Sequence, residues 1–442
     1  MLDGMIKRIG LSPKLMLGYA GVLVFMMGEG LEQGWLSPYL INKGLTIQEA
    51  ALLFSVYGLF AAISAWFSGV LAEIFGARRT MLTGFILFII GSVFFLSFGL
   101  PSNNLSIMIP TYALRGLGYP LFAYGFLVWV AYEAPPKKLG SAVGIFWFVY
   151  SGGLSVLGVL YSSIVLPYLG EIHTLWSALA FVAIGAMIAL LLNRGESHAG
   201  KDSHQEKTSI KYVLKGITIA FENPKIGLGG IVRTINTSAA YGFVVFMPMY
   251  MMEIGFTRAN WLQMYAALWT MNIIFNLIFG IISDRLGWRN VVMWFGCAGC
   301  AITTLMFYYI PHFLGPNYLL TVISAGLFGI CLAAFVPLSA IMPSLAPENK
   351  GAAMSVLNLG AGLSTFVGPA VVGLFIGSLG SGGVIWIYTG LYLFAGALMK
   401  FITLPKALPE TTKIVYTTAE NNVRPRVNNN EGGLIVNQQS EH

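Results

Sequence analysis

The chain has 442 residues, 56% of them hydrophobic and only 10% charged, against roughly 25% charged in a soluble globular protein. Apolar runs of about 18 residues or more recur from one end to the other, each long enough to cross a bilayer; a water-soluble fold would leave too much apolar surface in water, and a β-barrel wall would need a period-two alternation that these runs lack. The net charge of +7 does not mark a nucleic-acid partner, because the basic residues lie in short stretches between the apolar runs.

The first stretch, "MLDGMIKRIGLSPK", is basic and leads into a span too long for a signal-peptide core, so it reads as a retained first helix. Twelve helices follow in chain order, over 15–41, 48–71, 80–99, 105–131, 141–166, 174–193, 226–252, 259–283, 290–311, 317–343, 352–377 and 383–404. The polar stretch 194–225 divides them six and six. The organisation is therefore an N-terminal bundle (1–193), a linker (194–225), a C-terminal bundle (226–404) and a polar tail (405–442) that reads as mobile. With the N-terminus inside, 21 of the 25 Lys and Arg fall on the cytoplasmic side and two, Lys43 and Arg258, outside, which predicts that both termini are cytoplasmic. Cys297 and Cys300 form a CAGC within an apolar helix and, with Cys331, read as inert small residues. Neither a metal site, which would need four ligands, nor a disulfide framework is expected.

The two halves echo each other. "GVLAEIFGARR" (69–79) returns as "GIISDRLGWRN" (280–290) at an offset of 211, so that Gly69, Glu73, Gly76 and Arg78 align with Gly280, Asp284, Gly287 and Arg289. A second echo joins "APPKKLGSA" (134–142) to "APENKGAAM" (346–354). Two parallel halves around a midplane site are a plan of alternating-access carriers.

These motifs resemble the signature of the major facilitator superfamily, G-x-L-A-D-R-x-G-R-R/K-R/K. Gly69, Leu71, Ala72, Gly76, Arg78 and Arg79 match it, Glu73 replaces Asp, and the second copy keeps Gly280, Asp284, Arg285, Gly287 and Arg289. The resemblance implies an all-α integral membrane fold, twelve transmembrane helices in two pseudo-symmetric six-helix bundles. It also implies a latch at the cytoplasmic end, in which Gly69 and Gly280 let helices approach closely and the carboxylate faces a neighbouring helix N-terminus. Within the superfamily, "GEGLEQGWLSPYL" and "LRGLGYPLFAYGF" look like the polyol permease family, which implies a proton symporter of a pentitol such as ribitol or D-arabinitol in the cell inner membrane. That family also contains proteins assigned to a dicarboxylate.

Four charged side chains lie deep in the helices: Glu29, Glu32, Arg115 and Arg233. Each is disfavoured by about 2.5–3.5 kcal/mol at a helix centre, so they should face the bundle interior and mark function. Glu32 and Arg115 lie at matching depth, which allows an ion pair across the cavity. The expectation is that one glutamate pairs with Arg115 and stays ionised while the other carries the transported proton. Gln33, Tyr119, Arg233, Asn236, Trp269, Asn272, Asn276 and Asn358 form the candidate substrate set, amides for hydroxyls and aromatic rings for a carbon chain. Two acids and two bases can cancel internally. That balance favours a neutral, hydroxyl-rich ligand over a small dicarboxylate such as 2-oxoglutarate, which would use Arg115 and Arg233. No nucleotide motif or cofactor is expected, and the chain is expected to work as a monomer. A membrane-embedded enzyme or sensor is the rival from another class. It is disfavoured because no metal cluster or nucleophile–base set lies in the helices, and because the polar segments are too short for an output domain.

Overall fold

The computed structural model describes residues 15–133, 139–192, 218–347 and 349–403. The tail at 405–442 and most of the linker lie outside the described residues, as does part of the 134–142 echo. Among the described residues there is no strand.

Among the described residues twelve apolar rods are present, labelled α1 to α12. α1 is Met16–Gly30, continued after a break by Leu36–Asn42; α2 is Ile47–Phe75; α3 is Ala77–Phe94, extended by the wide turn Phe95–Gly99; α4 is Leu105–Glu133. α5 begins at Leu139–Ser151, and the helix Gly158–Met187 bends at Gly170 (φ 69°), so it supplies the end of α5 and then α6. α7 is Pro224–Ile254, α8 Arg258–Leu286, α9 Gly299–Leu314 with its preceding wide turn, and α10 Tyr318–Ala333 continued by Leu338–Leu345. Lys350–Phe401 bends at Gly380 (φ 66°) into α11 and α12.

The duplication is written into the local chemistry. Thr46 caps α2 and is capped in return by Glu49; Thr257 and Asn260 do the same for α8, 211 residues on. These reciprocal bonds satisfy backbone donors that the first helical turn leaves open. Gly76 (φ 88°) and Gly287 (φ 87°) both end the helix of a motif copy with backbone that other residues rarely adopt.

Two helices are broken where the sequence reads as continuous. α1 unwinds over Leu31–Trp35, with Gly34 at φ 87°. The Leu31 carbonyl freed by the break accepts from the Trp35 indole and from Ser162 Oγ of α5. Such repair is what allows non-helical backbone at membrane depth. α10 is interrupted before Leu338 in a similar way.

The halves meet mainly along α2 and α11. Thr365 Oγ1 donates to Gly58 O at 3.1 Å, and a Cβ on Gly362 would lie 3.0 Å from Ala62. Nearer the loop that joins α1 to α2, Ser37 Oγ donates to Val245 O, Trp261 Nε1 to Gly34 O at 2.8 Å, and Arg258 reaches Glu171 at 2.8 Å. The seam is thus tight from the middle of the molecule to the end bearing these residues.

The opposite end, which carries both motif copies, differs. A Cβ on Gly69 or on Gly280 would meet nothing within 4 Å. The close helix approach expected at these glycines is therefore absent. The contacts between the halves described above stop at Ala62, before α2 reaches the motif.

Small residues matter where backbones touch. A Cβ on Gly30 would overlap the Leu154 carbonyl. Gly30→Ala should therefore destabilise the fold by about 1–3 kcal/mol through overpacking, read as a lower melting temperature of detergent-purified protein. Gly69→Ala, which enters open space, should leave the melting temperature unchanged.

Candidate functional site

The break in α1 lies at the site. Glu29 is on the last turn before it and Glu32 lies within it. Arg115 of α4 faces both: its Nη2 lies 3.0 Å from Glu29 Oε2, and its Nη1 pairs with Glu32 Oε2. All three side chains are no more than 5% exposed. The expectation is that one glutamate pairs with Arg115 and the other carries the transported proton; in the structure both share the one guanidinium. A glutamate at each of two positions one turn apart on α1 presents both carboxylates to the same neighbour.

Two tyrosines complete the cluster, and neither was among the candidates read from the sequence. Tyr57 of α2 donates to Glu29 Oε1, and Tyr112 of α4 donates to Glu32 Oε1. Their rings stack at 4.4 Å, and Tyr119 stacks on Tyr57 at 6.1 Å. The Arg115 guanidinium lies over the rings of Phe88 (4.8 Å) and Tyr112 (5.6 Å), a favourable place for a desolvated cation. Tyr112 precedes Arg115 by three residues on one helix, so its face was legible; Tyr57 sits in an apolar stretch of α2 and left no signal. Close packing holds the group: Gly91 of α3 lies against the Arg115 backbone, and a Cβ on Gly116 would sit 2.8 Å from Tyr57 O.

Arg233 on α7 is placed differently. Among the described residues no carboxylate pairs with it. Tyr241, two turns along its own helix, and Tyr124 of α4 lie within electrostatic reach of it. The balanced count of two acids and two bases therefore does not become two pairs: Arg115 takes both acids and Arg233 stands apart.

The remaining candidates separate into two groups. Gln33 and Asn236 each have a buried side-chain oxygen without a partner, the condition of a group awaiting a ligand. Trp269 of α8 lies 6.2 Å from the Tyr241 ring, next to that same face. Asn272 and Asn276 are instead engaged in packing: Asn272 Nδ2 donates to Gly329 O at 3.3 Å and Asn276 Nδ2 to Asn272 Oδ1 at 3.3 Å, joining α8 to α10. Asn358 is exposed one turn from Gly362, on the α11 stripe that meets α2.

The family model described as Major Facilitator Superfamily matches residues 18–315 and 264–422. The chain belongs to that superfamily. It is 49% identical to the alpha-ketoglutarate permease of Bacillus subtilis (strain 168), covering 96% of each chain. It is 42% identical to the ribitol transporter of Klebsiella pneumoniae over 89% of this chain and 92% of that one. The fold matches the crystal structure of a D-xylose-proton symporter with a TM-score of 0.66, at 15% identity, over 88% of this chain and 97% of that one. It is a multi-pass membrane transporter of the polyol permease type.

In this major facilitator chain the two signature copies are held by different contacts. Arg78 donates to Leu190 O near the end of α6, while Arg79 is exposed. The Glu73 side chain lies outside the described residues. In the second copy Asp284 accepts from Trp288 Nε1 at 2.8 Å; Arg285 is exposed and Arg289 half-buried. Asp284 thus bonds within its own copy, and the carboxylate-to-helix latch is not engaged there.

Removing the cation alone should be severe. Arg115→Gln leaves two buried carboxylates without their counter-charge and should destabilise by about 3–5 kcal/mol, seen as loss of the folded peak in size-exclusion chromatography. The triple variant Glu29→Gln, Glu32→Gln, Arg115→Gln should regain most of that fold. If the triple variant is as unstable as the single one, the charge account of the cluster fails.

Proposed function

We propose that this transporter is a proton-coupled importer of a small five-carbon solute, working by alternating access as a monomer in the cell inner membrane. The observation that carries the reading is the sharing of one guanidinium by two buried glutamates. With both ionised the cluster holds a net negative charge, which is strongly disfavoured away from water. Taking up one proton makes it neutral. A carrier that changes sides with this site neutral moves one proton per cycle.

Glu29 is the proton carrier in this reading. Glu32 is bonded wholly to α4, through Tyr112 and Arg115. Glu29 is bonded also to Tyr57 of α2, and the next residue, Gly58, is bonded to Thr365 of the other half. Protonation of Glu29 therefore changes a bond one residue away from the seam. This links the titrating site to the packing between the halves, as coupling requires.

The distribution of Lys and Arg supports a cytoplasmic position for both termini and both motif copies. The tight seam is then the outer one, and the structure represents a state closed to the outside. The signature copies would engage when the cytoplasmic side closes, with Gly69 and Gly280 brought against neighbouring helices. Relatives named for ribitol and for alpha-ketoglutarate share a five-carbon ligand chain. Unpartnered oxygens on Gln33 and Asn236, and the Tyr241–Trp269 ring pair, suit the polar substituents and the carbon chain of either.

Proteoliposome uptake tests the reading. Wild-type protein should accumulate ribitol, D-arabinitol or 2-oxoglutarate when the outside is made acidic. Glu29→Gln should abolish that accumulation and leave exchange at equal concentrations intact. Undiminished pH-driven accumulation by Glu29→Gln would sink the assignment of the proton to this residue.

A further inference from the structure

The balance of charges in the sequence favours a neutral solute, and the placement of Arg233 argues the other way. Arg233 is the one intramembrane charge that the glutamate cluster does not absorb. It lies on α7 with Asn236 one turn and Tyr241 two turns further along the same face. α11 supports it from behind: a Cβ on Gly360 would lie 3.1 Å from Arg233 Cβ. Replacing that glycine's hydrogen would push the arginine stem away, so the foot of the side chain is held by packing against the α11 backbone.

Two tyrosines, one from each half, lie within electrostatic reach of the guanidinium. Tyr241 comes from its own helix and Tyr124 from α4. Tyr124 in turn stacks on Tyr150 of α5 at 5.9 Å, and Tyr119 and Tyr150 are within electrostatic reach of Tyr241. All of these groups can donate hydrogen bonds. No acid is among them. A guanidinium at this depth is strongly disfavoured without a counter-anion, and its planar fork matches a carboxylate with two parallel bonds.

We propose that Arg233, Tyr124 and Tyr241 form an anion subsite, and that the transported solute carries a carboxylate seated there. The subsite draws on both halves, α4 from one and α7 from the other, so a bound carboxylate bridges them. Asn236, whose Oδ1 is buried without a partner, lies one turn nearer the level of Glu29 and meets the next polar group of the solute. The assignment rests on the transport reading above and deepens it by selecting the carboxylate over the polyol class. It also removes Arg115 from the ligand set, since both of its outer nitrogens are engaged by Glu32 and Glu29. One carboxylate of the solute is therefore held by a guanidinium and its remainder by neutral groups.

Binding to the full-length protein purified in detergent, measured by calorimetry with 2-oxoglutarate and with ribitol as probes, tests this. Wild type should bind 2-oxoglutarate and not ribitol. Arg233→Gln should weaken 2-oxoglutarate by roughly 10- to 100-fold, the value of a charge-assisted pair, with its melting temperature recorded without ligand to show that it folds. Arg233→Lys, which keeps the charge but not the fork, should fall between the two. Unchanged 2-oxoglutarate affinity in folded Arg233→Gln overturns the subsite. Ribitol uptake driven by a pH gradient, with no carboxylate bound, also overturns it while leaving the proton-coupled reading in place. Carboxylate uptake that depends on Arg233 but ignores the pH gradient supports the subsite and sinks the coupling instead.

Discussion

Arg115 is the constraint on which the first half of this transporter is built. A guanidinium buried in a membrane helix must find acids, and the two it finds lie one helical turn apart on α1. Holding both requires that α1 and α4 approach closely, that Tyr57 and Tyr112 occupy the remaining carboxylate oxygens, and that Phe88 cover the cation. Fixed dipoles and rings here replace the water that these charges would otherwise hold. The break in α1 belongs to the same arrangement. Unwinding at Leu31–Trp35 sets Glu32 in irregular backbone, and the freed carbonyl is bonded by Trp35 and Ser162.

The cluster is built entirely from one half, yet it borders the other. Tyr57 bonds Glu29, and Gly58 beside it accepts from Thr365. A change in the charge of Glu29 is therefore felt where α2 and α11 touch. The seam there consists of small residues in direct backbone contact, an arrangement with two discrete states, packed or parted, and little between. In the proposed cycle such a seam shifts as a unit, so that protonation of Glu29 biases a rearrangement of whole helices.

The duplication makes the asymmetry of the charges informative. Caps and motif glycines recur 211 residues apart, so the halves are one design used twice. The position equivalent to Glu29 is Ala240, and the second half has no acid on that face. Its charge is Arg233, lower on the stripe and without a carboxylate partner among the described residues. One copy has thus been shaped around a buried ion cluster closed on itself and the other around an open cation. Asn272 and Asn276 show how a candidate ligand amide also serves the fold: Asn272 bonds a backbone carbonyl of α10, and Asn276 bonds Asn272 on its own helix.

The sequence by itself determined the helical membrane class and the positions of the twelve rods to within a few residues, because apolar length and helix boundaries are local properties. The doubling of the chain was legible too, since a repeat needs only the order of residues. It also singled out Glu29, Glu32, Arg115 and Arg233, because ionisable groups at membrane depth are too unfavourable to be incidental. Which acid met which base was decided by tertiary structure alone. Pairing depends on the rotation of α1 against α4 and on the break at Leu31–Trp35, and neither follows from helical periodicity. Tyr57 was invisible for the same reason: a tyrosine on a membrane helix reads as packing until another helix brings a carboxylate to its hydroxyl. The sequence counted four charges, and only the fold, by assigning two acids to one arginine, left the other free.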